Sequence, residues 1–183
     1  MKPIDNFLFL LPLLLCFSFL PLLTNANEGT GTKLITEVCK DTTDKDFCVS
    51  TFESAPDIEQ EDITGLTLIA LKLASKNASD TSALIKKMLA DTTLDPVIEQ
   101  CLADCKDHYL DAAEQLDDSI AALLANAYSD VHAWVTTAIT DANTCEDGFK
   151  QHPGKESVLS GRNSIVVQLC NNALAFNNRL AQK

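Results

Sequence analysis

Apolar residues recur through most of this chain at steps of three and four, the spacing that places side chains on one face of an α-helix. No segment shows the alternation of apolar and polar residues that is typical of a half-buried strand. The longest run has steps of 4, 3, 4, 3, 4, 4 and 3 and consists of Ile98, Leu102, Cys105, Tyr109, Ala112, Leu116, Ile120 and Leu123. A chain with this pattern must bury several helical stripes against one another, which restricts it to an all-helical fold.

Three further segments have the same spacing. One starts at Ile63 and is broken at 91–94, after which Asp95 and Pro96 are a typical N-cap and first helical residue. The next follows a polar break at 126–130, with Ser129 or Asp130 as its cap, and the last follows a linker at 152–155. The residues expected on their buried faces are Leu66, Ala70, Leu73, Leu84 and Met88; Val131, Trp134, Ala138, Ala142 and Cys145; and Ile165, Leu169, Ala173, Phe176 and Leu180. Short connections favour antiparallel neighbours, so we predict an up-down-up-down four-helix bundle.

The first 26 residues have the composition of a secretory signal peptide. Lys2 provides a positive start, residues 7–23 are almost wholly apolar, and the small side chains of Thr24 and Ala26 precede a cleavage site before Asn27. A membrane anchor is the alternative, but two prolines and only about 17 apolar residues are poor for a stable span. We therefore expect residues 1–26 to be removed and residues 27–183 to form one secreted domain.

Secretion changes how the cysteines are interpreted. Six of the seven lie beyond the signal segment, at positions 39, 48, 101, 105, 145 and 170. In an oxidising compartment an even set of cysteines is more typical of disulfides than of metal binding, and no histidine stands at zinc-ligand spacing from them. We expect no metal site. Asn77-Ala78-Ser79 is a glycosylation sequence on a polar stretch, so we predict a glycan on Asn77.

A short N-terminal unit precedes the bundle. Residues 33–52 form two helical pieces joined at 41–44, and Cys39 and Cys48 flank this turn. Helices this short are unstable alone. A disulfide between Cys39 and Cys48 would therefore hold the two arms of the hairpin together.

Helix geometry also favours a second pair. Counted from a turn near Ala127, Cys105 and Cys145 differ by four residues in level, about 6 Å along antiparallel helices, which is near disulfide reach. Cys101 is eight residues off level and is the poorer partner for Cys145. Cys101 and Cys170 are left as an extra pair or as buried free thiols.

The charge balance narrows the function. The chain has 14 Lys and Arg against 26 Asp and Glu, a net charge of −12. An acidic protein is a poor match for nucleic acid or for an anionic membrane surface. An enzyme is disfavoured because the common hydrolase and phosphate-loop motifs do not occur and three scattered histidines offer no paired base. A small-molecule or lipid carrier would need a cavity in the bundle.

In their order along the chain, these features resemble one family, the plant invertase/pectin methylesterase inhibitor domain, from Leu34 to Leu180. The matching residues are Leu34-Ile35 before Cys39 and Cys48, Asp62-Ile63-Thr64-Gly65-Leu66, Asp104-Cys105 with Tyr109 and Asp111-Ala112, Trp134-Val135-Thr136-Thr137-Ala138, Thr144-Cys145-Glu146-Asp147-Gly148-Phe149, and Asn172-Ala173-Leu174-Ala175. The resemblance implies a helical hairpin on a four-helix bundle with disulfides 39–48 and 105–145. Cys101 departs from the family pattern, and Cys170 stands where some members carry an extra thiol.

The resemblance implies an inhibitor rather than an enzyme. Some members form one-to-one complexes that cover the pectin-binding cleft of pectin methylesterase, and others block acid invertase, a β-fructofuranosidase. For this chain it implies a protein partner of one of these kinds and no cofactor. We expect a monomer when free, located in the cell wall or, alternatively, the vacuole.

The resemblance also points to candidate contact residues. Asp107, Asp111, Glu114 and Asp118 are spaced 4, 3 and 4, which places four carboxylates on one helix face. Such a row is usually a solvated face, but related inhibitors present acidic residues from this helix to the esterase. The resemblance therefore implies Asp107, Asp111 and Glu114 as target-binding residues, together with Thr144, which matches a position near the family's esterase contact surface.

An alternative target-binding loop is expected at Tyr128, Ser129 and Asp130. These residues occupy the connection where inhibitors of invertase carry a Pro-Lys-Phe motif that enters the active site. That motif is absent from this connection. Its absence favours the esterase over invertase as the target.

Overall fold

The computed structural model describes residues 30–54 and 62–182, so the predicted signal segment lies outside the described residues. An N-terminal hairpin contains α1 (Thr30–Val38), one 3₁₀ turn (Cys39–Asp41) and α2 (Lys45–Glu53). Four longer helices follow, α3 (Ile63–Met88), α4 (Pro96–Leu124), α5 (Tyr128–Lys150) and α6 (Ser160–Ala181). The described residues form helices and no strands, which confirms the predicted all-helical bundle with a short hairpin before it.

The four long helices form a closed square. Each packs against its neighbours in the chain, and α3 also packs against α6, so that α4 lies diagonally opposite α6. Their facing stripes form one core whose largest fully buried side chains include Tyr109, Phe149 and Phe176. Because α4 and α5 are adjacent and antiparallel, their outward faces together form one side of the molecule.

Side-chain carboxylates cap two of the long helices, and the cap predicted at Asp95 is one of them. The side chain of Asp95 accepts hydrogen bonds from the backbone N–H groups of Val97, at 3.0 Å, and Ile98, at 3.4 Å, and Pro96 opens α4. Asp62 caps α3 in the same way through the N–H of Gly65, at 2.9 Å. These bonds satisfy N–H groups that have no partner within the helix.

The connection between α4 and α5 is shorter than predicted. Asn126 has φ of 58° and ends α4, and the N–H of Ala127 bonds to the carbonyl of Ala122 at 2.9 Å, as in a Schellman motif. The chain then enters α5 at Tyr128 without a side-chain cap. The prediction that the break extends to residue 130 and that Ser129 or Asp130 caps α5 is therefore wrong, because residues 128–130 form the first turn of the helix.

Two predicted core positions are also wrong. Trp134 is 41% exposed and Ile165 is 38% exposed. The buried residues of α5 are Val131, Val135, Ala138, Ala142, Cys145 and Phe149. This stripe places Val135 inside, and Trp134, turned by about 100° from it, at the edge. On α6, Val166 takes the buried position instead of Ile165.

Both predicted disulfides are present. The Cα atoms of Cys39 and Cys48 are 5.7 Å apart, and those of Cys105 and Cys145 are 4.8 Å apart. The first bridge closes the hairpin and the second joins α4 to α5. Of the alternatives for the remaining cysteines, Cys101 and Cys170 are both free and buried.

The hairpin is fixed to the end of α6. The rings of Phe52 and Phe176 are 5.2 Å apart, centroid to centroid, with their planes inclined at 56°. Arg179 Nε donates to Asp41 Oδ2 at 2.6 Å, and its Nη2 donates to the carbonyl of Glu37 at 2.9 Å. The hairpin therefore contacts the bundle on the helix diagonally opposite α4.

Candidate functional site

The four carboxylates of Asp107, Asp111, Glu114 and Asp118, here called the acidic row, lie on the outer face of α4. All four residues are exposed. The helix as a whole carries seven Asp and Glu residues against one lysine. Among the described residues the row has a single ion-pair partner, Lys106, whose Nζ lies 3.3 Å from Asp107 Oδ1. An exposed pair of this kind contributes little, so the row retains its negative charge towards solvent.

One nearby acid has a structural contact instead. Asp117 Oδ1 accepts a hydrogen bond from Ser75 Oγ at 2.6 Å, which joins α3 to α4. Asp117 and Asp118 are adjacent in the chain, but consecutive helical residues diverge by about 100°. The two acids therefore have different environments, one against α3 and one in the acidic row.

A groove of about 410 Å³ lies between α4 and α5 at one end of the row. Its lining includes Asp104, Asp107, Thr144 and Gly148, with the Cys105–Cys145 disulfide in its wall. The structure thus brings together two of the predicted contact residues, Asp107 and Thr144, which are 37 positions apart in the chain. Asp111 and Glu114 lie further along the row, outside the groove.

Thr144 has its hydroxyl oriented by its own helix. Its Oγ1 donates to the carbonyl of Thr140 at 2.8 Å, and the residue is exposed. A hydroxyl has one donor and two acceptor lone pairs, and the donor is used here. Thr144 is therefore available to a partner mainly as a hydrogen-bond acceptor, in keeping with the acceptor character of the carboxylates beside it.

A pair that the sequence analysis missed connects the two helices of this face. His108 Nδ1 lies 3.0 Å from Asp141 Oδ1, with the two side chains 33% and 14% exposed. Asp141 Oδ2 is buried without a hydrogen-bond partner. Together with the Cys105–Cys145 bridge, this contact sets the register between α4 and α5. The relative position of the acidic row and Thr144 depends on that register.

A largely buried polar network lies behind the face, with its outer end at the exposed Ser160. Tyr109 Oη donates to Asn163 Oδ1 at 2.6 Å, and Asn163 Nδ2 donates to Glu146 Oε2 at 2.6 Å. Ser160 Oγ donates to the other oxygen of Glu146 at 3.1 Å. Burial strongly raises the pKa of Tyr109, so its phenol remains a donor. The network joins α4, α5 and α6, and the apolar spacing predicted only that Tyr109 faces inwards.

The segment 128–130 is at the other end of the face. Tyr128 Oη donates to Asn126 Oδ1 at 3.0 Å, and the carbonyl of Tyr128 accepts from Asn177 Nδ2 at 2.9 Å. The second bond ties the start of α5 to α6. As the alternative binding segment, residues 128–130 therefore present a helical turn with two exposed side chains, Ser129 and Asp130.

Asn77 lies in the middle of α3 rather than in a loop. It is partly buried, and its Nδ2, the atom that would carry a glycan, donates to the carbonyl of Leu73 at 2.9 Å. A glycan would replace one of the two hydrogens on Nδ2, so this bond would survive only through the other hydrogen. The glycosylation site stays a prediction.

Residues 30–54 and 62–182 contain neither a metal-binding cluster nor a membrane-spanning helix. These residues contain no group of three His, Cys, Asp or Glu side chains placed to hold a metal ion. None of their helices has the length and apolar character needed to cross a membrane.

The fold defines a class of protein, the disulfide-linked four-helix bundles preceded by a short helical hairpin. A crystal structure of a mutant form of a pectin methylesterase inhibitor from Arabidopsis has the same fold. Its TM-score is 0.69 at 20% sequence identity, over 82% of this chain and 96% of that one.

The family is identified by sequence. The sequence model of the family described as plant invertase/pectin methylesterase inhibitor matches residues 33–176. This chain belongs to that family. It is 33% identical over 150 residues to a cell wall / vacuolar inhibitor of fructosidase from Arabidopsis thaliana, covering 82% of each chain. It is 27% identical over 173 residues to a pectinesterase inhibitor from Actinidia deliciosa, covering 94% of this chain and 93% of that one.

Proposed function

We propose that this chain is a secreted inhibitor of plant pectin methylesterase and acts by covering the substrate cleft of the enzyme in a one-to-one complex. The observation that carries the proposal is the acidic row, which is exposed and almost free of compensating cations. It lies beside the groove that contains Asp107 and Thr144. Family membership and the name of the Actinidia relative support the same function.

The chemistry of the substrate supports the acidic row as the docking element. Pectin carries carboxylates along its backbone, so a cleft that binds it benefits from basic side chains. The row spans 12 residues of helix, from Asp107 to Asp118, or about 16 Å of repeated negative charge. Such a row would steer the inhibitor towards a basic cleft and set its orientation there.

Acid invertase is the second candidate target, and it is favoured by the fructosidase inhibitor among the relatives. Against it, the segment 128–130 lacks the Pro-Lys-Phe motif and forms a helical turn. Location in the cell wall follows from the proposed signal peptide and the proposed target, and the vacuole is the alternative.

The decisive experiment is charge reversal in the acidic row. Asp107→Lys with Asp111→Lys is expected to weaken inhibition of purified esterase at least tenfold, mainly through slower association that depends on salt. The thermal midpoint should remain nearly unchanged because both side chains are exposed. A matched control, Asp80→Lys with Glu156→Lys, makes the same change of net charge at exposed acids outside α4 and α5.

A parallel assay with acid invertase distinguishes the two targets. Inhibition of the esterase alone, lost in the row variant and retained in the control, supports the proposal. Inhibition of invertase alone would make invertase the target. Full inhibition of the esterase by the row variant would exclude the acidic row as the docking surface.

A further inference from the structure

Trp134 is the one tryptophan of the chain, and 41% of it is exposed although it lies well inside α5. The exposed part of the indole adds little to the stability of the free protein, because apolar surface stabilises a fold only when it is removed from water. Tryptophan is one of the three residue types enriched at the energetic centres of protein interfaces, with tyrosine and arginine.

The position of Trp134 follows from the register of α4 and α5. Asp141 contacts His108 across the two helices. Trp134 precedes Asp141 by seven residues, two helical turns, so it lies on the same side of α5, next to α4. Because α4 runs antiparallel to α5, seven residues back along α5 correspond to seven residues forward along α4, from His108 to Gln115. Gln115 is therefore the residue of α4 at the level of Trp134. Gln115 is adjacent to Glu114 and one turn from Asp118, so the indole lies at the edge of the acidic row.

The other side of the row has a second exposed apolar residue. Leu110, 52% exposed, stands three positions after Asp107 and four before Glu114. These steps place it on the row's own face of α4. Exposed apolar side chains beside carboxylates match the usual anatomy of an interface, where apolar anchors become buried and charges surround them.

We infer that Trp134 is an anchor residue of the target-binding face. Its indole enters an apolar pocket at the rim of the esterase cleft, while the acidic row pairs with basic side chains of that rim. The occupant of this face is thus an enzyme surface that combines positive charge with an apolar pocket. The inference rests on the proposed function and adds a specificity-determining residue on α5 to it.

The expected effect can be worked out from the exposed area. Exposure of 41% of an aromatic side chain that can bury up to about 250 Å² leaves about 100 Å² to be covered by a partner. At about 25 cal/mol per Å², loss of this burial corresponds to a change in Kd of roughly tenfold to one hundredfold.

The test compares Trp134→Ala with Ile165→Ala in inhibition of purified esterase. Ile165 is a matched control because it is 38% exposed and lies on α6, diagonally opposite α4. We expect Trp134→Ala to weaken inhibition by roughly tenfold or more, Trp134→Phe to recover part of the loss, and Ile165→Ala to inhibit like the unaltered protein. Thermal midpoints of all variants report whether they are folded.

A second measurement avoids substitution. Hydroxyl-radical footprinting of the unaltered protein, read by mass spectrometry, should show oxidation of Trp134 falling several-fold when saturating esterase is added. A probe on the opposite side, Ile165, should keep its rate. This measurement tests the inference even if Trp134→Ala does not fold.

The outcomes separate this inference from the proposal on which it rests. If the unaltered protein does not inhibit the esterase, the proposed function is wrong and the inference falls with it. If the unaltered protein inhibits and the Asp107→Lys, Asp111→Lys variant does not, the proposed function holds. In that case, an unchanged oxidation rate of Trp134 in the complex, or equal inhibition by Trp134→Ala and Ile165→Ala, overturns the inference alone.

Discussion

Tyr109→Phe tests the buried network that holds α4, α5 and α6 together. The Tyr109 side chain is fully buried, and its hydroxyl donates to Asn163 Oδ1 at 2.6 Å. Asn163 is only 3% exposed, and its Nδ2 donates a hydrogen bond to Glu146 Oε2 at 2.6 Å. The substitution removes one donor, keeps the packing of the ring, and leaves the Oδ1 of Asn163 without that donor in a largely buried position.

The magnitude follows from this geometry. A buried acceptor that loses its partner costs about 1–3 kcal/mol, and the middle of that range, about 2 kcal/mol, applies to one short bond. For a domain of about 150 residues, this corresponds to a fall in the thermal midpoint of about 4–8 °C. Because no aromatic carbon is removed, the large cavity cost of a Tyr→Ala change does not arise.

The assay is urea unfolding followed by circular dichroism, with thermal unfolding as a second measure. Tyr128→Phe is the matched control, since its hydroxyl bonds to Asn126 Oδ1 at 3.0 Å in an exposed setting, and it should change stability by less than about 0.5 kcal/mol. A lower urea midpoint with an unchanged slope is expected for Tyr109→Phe. Equal effects of the two substitutions would refute the claim that the buried network stabilises the bundle.

Three further predictions concern the bridges, the hairpin and the buried ionisable groups. Removing the 105–145 disulfide should lower the free energy of unfolding by about 4 kcal/mol, and removing the 39–48 disulfide by about 2.6 kcal/mol. The first loss is larger because that bridge closes the longer loop and so restricts the unfolded chain more. The reverse order in urea unfolding would contradict this. Arg179→Ala should speed hydrogen exchange in α1 and α2 more than in α4, because it removes the bonds to Asp41 and to the carbonyl of Glu37; uniform exchange would contradict it. Burial raises the pKa of Cys170 to about 12 and that of Tyr109 strongly, so the thiol should react with a disulfide reagent at pH 8 only after unfolding. Both groups hold their proton more tightly in the folded state, so stability should be complete below about pH 9 and fall as pH rises towards 12; a flat stability profile there would be the contrary result.

The features of the candidate site that lie on a single helix could be predicted from the sequence. Those that need two helices to meet could not. The spacing of Asp107, Asp111 and Glu114 places them on one face of α4 from the sequence alone, and the structure leaves all three exposed. The contact of His108 with Asp141 was missed because it requires the register between α4 and α5 to within one turn. Neither residue has a local pattern that distinguishes it from an ordinary polar position on a helix.

Packing also decided which apolar residues became core. Trp134 and Val135 both fit the edge of an apolar stripe on α5, but the helix rotates so that Val135 is buried and Trp134 is 41% exposed. A rotation of one residue is about 100°, and only the positions of α4 and α6 select between the two. The same reason applies to Ile165 and Val166 on α6.

Local patterns were enough to predict the helices, the start of α4 at Asp95 and Pro96 and the hairpin closed by Cys39 and Cys48, because these depend on neighbours three, four or nine positions away. The negative charge of α4 follows from its composition alone. Packing between the helices decided the rotation of each helix, the free state of Cys101 and Cys170, and the position of Asp107 beside Thr144 in one groove. Those features depend on side chains that are dozens of residues apart in the chain, and they are determined only when the helices pack together.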